Sequence, residues 1–70
     1  MDNQALDNKN NQLAALFKLI DEEIMLDFEE ISIWKSSAYY RNTKFAKENI
    51  KYAEDDIKFM SELKKKLNIH

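Results

Sequence analysis

Glu23, Asp27 and Glu30 stand at i, i+4 and i+7, a spacing that lines three carboxylates along one edge of a helix. Such rows hold metals inside helical bundles when they project inward, but those sites also recruit Glu-x-x-His pairs, and the single histidine here is His70, the last residue. Glu22, Glu23 and Asp27 loosely resemble the clustered acids of helical nucleotide hydrolases, although any acidic helix offers that spacing. With no cysteine and no second histidine the ligand supply is poor. The row is expected to be a solvated or lysine-paired flank, with no metal, no cofactor, no catalytic residue and no small-molecule substrate. His70 is assigned no role.

Asp27, Asn49 and Asp56 fall toward apolar faces, where an unpaired polar group costs about 1–3 kcal/mol. Either they reach water at the edge of a seam, or two of them pair and fix register or partner identity, as single polar residues do in coiled coils. Trp34, Tyr39, Tyr40 and Arg41 cluster at one point of the chain, and aromatics with arginine are the residue types enriched at binding hot spots. Trp34 and Tyr39 are expected to cap the end of a core, while Tyr40 and Arg41 are freer to bind. Trp34, Tyr40 and Arg41 are therefore the hot-spot candidates. The run Lys64, Lys65 and Lys66 is basic, but a net charge of −2, one arginine and no basic stripe interleaved with aromatics argue against nucleic acid as a partner. The acids of residues 21–30 are a modest charge for imitating DNA.

Helices must position these groups. Glycine and proline are both absent, which removes the residues that tight hairpin turns and phosphate-cradling loops need. Apolar residues make up 44% of the chain and charged residues 34%, too hydrophobic for disorder and suited to amphipathic helices. Leu13, Leu16, Phe17, Ile20, Ile24, Phe28, Ile31 and Trp34 recur at spacings of three and four and predict a helix over 11–35, capped by Asn10 or Asn11 behind a flexible polar tail, 1–10. Residues 36–43 collect hydroxyls and asparagine and form the expected turn. Ala46, Ile50, Ala53, Ile57, Met60, Leu63 and Leu67 predict a second helix over 43–67, with lysines in its last turns, where cations favour the helix dipole.

The expected fold is all-α, an antiparallel, coiled-coil-like two-helix hairpin. One fold-back register brings Ile31 to Ala46, Ile24 to Ala53, Ile20 to Ile57, Phe17 to Met60 and Ala14 to Leu63, centred on Ala38 and Tyr39. Residues 12–35 carry six acids and two lysines, net −4, and residues 41–70 carry eight bases and five acids, net +3. The helices attract in either direction.

A second apolar row runs beside the first at intervals of seven: Leu19, Leu26 and Ile33 on helix one, Phe45, Tyr52 and Phe59 on helix two. Two rows per helix mean two buried sides. A chain of 70 residues forms one small domain, and two helices sharing one seam bury little surface, so the second row is expected to be an interface. Dimerisation into a four-helix bundle is the commonest way to cover it, ahead of docking on a larger protein. The expected function is that of a small non-enzymatic interaction protein that regulates or inhibits a larger macromolecule through a helical surface. The alternatives are a purely structural assembly subunit, or a nucleic-acid accessory using the lysine-rich end of helix two. No run approaches the ~18 apolar residues of a membrane span and the N-terminus is polar, so the expected setting is the cytoplasm.

Overall fold

The computed structural model describes the backbone of residues 2–68 and the side chains of residues 8–68. It holds two helices packed against each other, α1 (Asp2–Ser36) and α2 (Lys44–Leu67). With no glycine or proline to stop it, α1 runs back through the segment expected to be a tail, and the helix does not begin at Asn10 or Asn11. Each asparagine within a helix costs only a few tenths of a kcal/mol, and glutamine, alanine and leucine at positions 4–6 are good helix formers. The molecule is a rod of 59 × 16 × 12 Å, because α1 has 35 residues and α2 only 24. The first turns of α1 overhang the end of α2, and residues 8–12 are all exposed.

The turn forms without any positive φ. Hydroxyl groups replace glycine: Ser36 Oγ donates to the Ile33 carbonyl (3.0 Å), the Tyr40 amide donates to Ser37 Oγ (3.3 Å), and Thr43 Oγ1 donates to the Tyr40 carbonyl (2.7 Å). Thr43 then caps α2 with extended backbone (φ −75°, ψ 152°), its Oγ1 accepting from the Ala46 amide at 3.1 Å. At the other end the Asn68 amide donates to the Lys64 and Lys65 carbonyls.

On α1 the seam follows a strict heptad. Leu13, Phe17, Ile20, Ile24, Asp27, Ile31 and Trp34 are its buried or half-buried positions on α1, alternating steps of four and three. Leu16 and Phe28, expected in this row, are exposed at 40% and 58%. Consecutive steps of four advance about 40° each around a helix, so the series 16, 20, 24, 28 drifts off any straight seam, whereas alternating steps hold it. Asp27 takes the place that polarity would give to Phe28. On α2 every residue of the expected row is buried or half-buried.

Ile20, Ala46 and Ala53 are the buried apolar residues among those described, and no large side chain is fully buried. Two alanines on α2 let the backbones approach closely. The register differs from the simple fold-back, which would set Thr43 opposite Trp34, Ile50 opposite Asp27 and Asp56 opposite Asp21. Instead Trp34 meets Phe45, Asp27 meets Asp56, and Asp21 meets Lys64. In each case the partner lies later on α2. The turn is centred on Tyr40, midway between Ser36 and Lys44.

Candidate functional site

Two features stand out, an apolar face and a carboxylate cluster beside it. The face is the second row. Leu19 (62% exposed), Leu26 (57%), Ile33 (67%), Phe45 (64%), Tyr52 (76%) and Phe59 (62%) all lie open. Helical geometry turns the row of each helix to the same flank of the hairpin, about 100–140° from the seam. The edge-on stacking of Phe45 on Trp34, with ring centroids 5.4 Å apart and planes at 81°, joins the second row of α2 to the seam of α1 near the turn. Trp34 is half-buried, with Nε1 3.5 Å from Glu30 Oε1, so it closes the upper end of the seam as expected. Tyr39 does not: it is 83% exposed and stacks on Tyr40 at the tip, because hydroxyl caps close the turn without it. Tyr40 and Arg41 are exposed at the same tip.

The cluster joins Glu23 and Asp27 of α1 to Asp56 of α2, with one oxygen of each within 4.8 Å of the others. Glu30, the third acid of the row read from sequence, is not a member. Asp56 replaces it, because it sits across the seam at the level between Glu23 and Asp27. Of the three polar residues that faced apolar surfaces, Asp27 and Asp56 meet, while Asn49 turns its Nδ2 to the Phe45 carbonyl of its own helix (2.7 Å).

Asp27 is 7% exposed, and its Oδ2 has neither solvent nor a hydrogen-bond partner. Loss of water, first, pushes its carboxyl up to about 7. The hydrogen bond with Asp56 and the negative charges of Asp56, Glu23 and Glu30 push in the same direction. Without a cation, the Asp27 carboxyl keeps its proton over much of the acid range.

The lysine-rich end of α2 is partly occupied. Lys64 Nζ lies 2.7 Å from Asp21 Oδ1, the ion pair that links the two helices among the described residues, while Lys65 and Lys66 are exposed. Two shallow surface depressions are open to solvent, one along α2 by Glu48 and Tyr52 and one on the opposite flank between Phe28, Ile31 and Ile57. No helix among the described residues is long and apolar enough to cross a membrane. Comparison with family models, curated proteins and solved structures finds no match to the chain, so the geometry of the face and the cluster carries the functional reading.

Proposed function

We propose that this protein is a small non-enzymatic interaction protein that regulates or inhibits a larger protein by docking the face formed by Leu19, Leu26, Ile33, Phe45, Tyr52 and Phe59. The observation that carries the reading is the exposure of all six on one flank. Side chains of about 200 Å² each at roughly two-thirds exposure offer on the order of 800 Å², the area one side of a standard protein interface buries. Aligned apolar anchors on helices are the means by which amphipathic helices enter a partner's groove. Trp34, against Phe45, and Tyr40 and Arg41 at the tip place hot-spot residue types at one end of the face.

A second reading, assembly with another copy, is favoured by the charge asymmetry. The net −4 of residues 12–35 and the +3 of residues 41–70 let α1 of one chain lie beside α2 of another in a two-fold four-helix bundle. Photo-crosslinking separates the two. A benzophenone amino acid at Tyr52 should give a heterologous adduct in the native cell that disappears in Leu26→Ser/Phe59→Ser, and the same probe at Glu54 should give none. The adduct partner's activity, assayed with and without the hairpin, then tests regulation. Adducts to self alone select the assembly reading. No adduct at Tyr52 rejects both.

A further inference from the structure

The carboxylate cluster lies in the seam and is independent of what covers the apolar face. Glu23 and Asp27 are one turn apart on α1, and Asp56 reaches them from α2, with one oxygen from each mutually within 4.8 Å. Three oxygens ringing a cation at 2.3–2.6 Å stand about 4.0–4.5 Å apart, so a small inward turn of these carboxylates lets the three share one ion. A second observation points to a ligand at this place. Asp27 is more than nine-tenths buried, and its Oδ2 is sealed from solvent with nothing donating to it. Buried polar atoms nearly always find a partner, and an orphan among carboxylates calls for a positive one. No basic side chain supplies it, because the ion pairs among the described residues, Lys44 with Glu48 and Lys64 with Asp21, leave these three acids out.

We propose that Glu23, Asp27 and Asp56 bind one hard divalent cation, with Asp27 as the buried ligand and water completing the shell on the half-exposed side of Glu23 and Asp56. The all-oxygen donor set, without histidine or thiolate, selects Ca²⁺, Mg²⁺ or Mn²⁺ over zinc or copper. The ion cancels the repulsion among three carboxylates and staples α1 to α2 at the middle of the seam. Because the ligands come together only when the hairpin folds, binding stabilises the fold.

Mn²⁺ added in small amounts to the isotope-labelled full chain should broaden the amide signals nearest Glu23, Asp27 and Asp56 first. The effect should saturate at one ion per chain and reverse with excess Ca²⁺ or Mg²⁺. Asp56→Asn should weaken Mn²⁺ binding at least tenfold in calorimetric titration, and Glu29→Gln, at an exposed acid outside the cluster, should leave it within twofold. Broadening as strong at Glu48 and Glu62, exposed acids farther along α2, or affinity unchanged in Asp56→Asn, overturns the site. Should Asp56→Asn lose its far-UV helical signal, the broadening map of the unmodified chain decides alone.

Discussion

Replacing Asp27 by asparagine tests the seam most directly. The carboxyl titrates near 7 in the folded hairpin and near 3.8 when exposed. Between those values the folded chain holds a proton that the unfolded chain has released, so stability falls as pH rises from about 4 to 7 and is flat above. A difference of about three pH units corresponds to roughly 4 kcal/mol. Asparagine keeps the shape, donates an N–H to the Asp56 carboxylate and carries no charge. Asp27→Asn should therefore match the parent within about 1 kcal/mol at pH 4 and exceed it by up to about 4 kcal/mol at pH 8, worth about 15 °C or more in Tm for a domain this small. The assay is thermal and urea unfolding by circular dichroism at 222 nm, across pH 4–8 at one protein concentration and ionic strength with chelator present. Every other titrating group is common to both chains, so the difference in slope reports Asp27 together with its coupling to the neighbouring acids. A parent whose stability is flat across this range, or a variant with the parent's slope, would refute a buried carboxyl in the seam.

Leu26→Ser with Phe59→Ser should cost about 2–5 kcal/mol per residue where a second chain buries them, and little in the lone hairpin, where both are more than half exposed. Sedimentation should lose the assembly while far-UV dichroism keeps the helices, and a parent that is monomeric at every concentration and crosslinks to nothing makes the row ordinary surface. Thr43→Ala removes the acceptor of the Ala46 amide and should cost about 1 kcal/mol, read as a drop in Tm of about 5 °C. Ala46→Leu forces a larger side chain into a position with no exposed surface and should cost about 1–3 kcal/mol in urea unfolding, whereas Ala38→Leu at the exposed turn should leave the midpoint unchanged.

The sequence alone determined the elements. Without glycine or proline, and with apolar residues at spacings of three and four, the chain had little to form except two amphipathic helices, and the hydroxyl-rich stretch before Lys44 marked the break because those side chains cap helix ends. The second apolar row was legible for the same reason, since a seven-residue interval keeps residues on one face whatever lies opposite. Where α1 begins was not legible, because asparagine caps and asparagines inside a helix differ by less than the gain from continuing a helix that nothing interrupts. The register was decided only by tertiary packing. Polarity favoured Phe28 for the seam and a pairing of Ile24 with Ala53, but two helices that keep contact along their length need alternating steps of four and three, and this brought Asp27 inward. The carboxylate cluster follows from that packing. Glu23 and Asp27 are neighbours on any helix, but Asp56 joins them through the register at which α2 packs on α1, which no local spacing encodes.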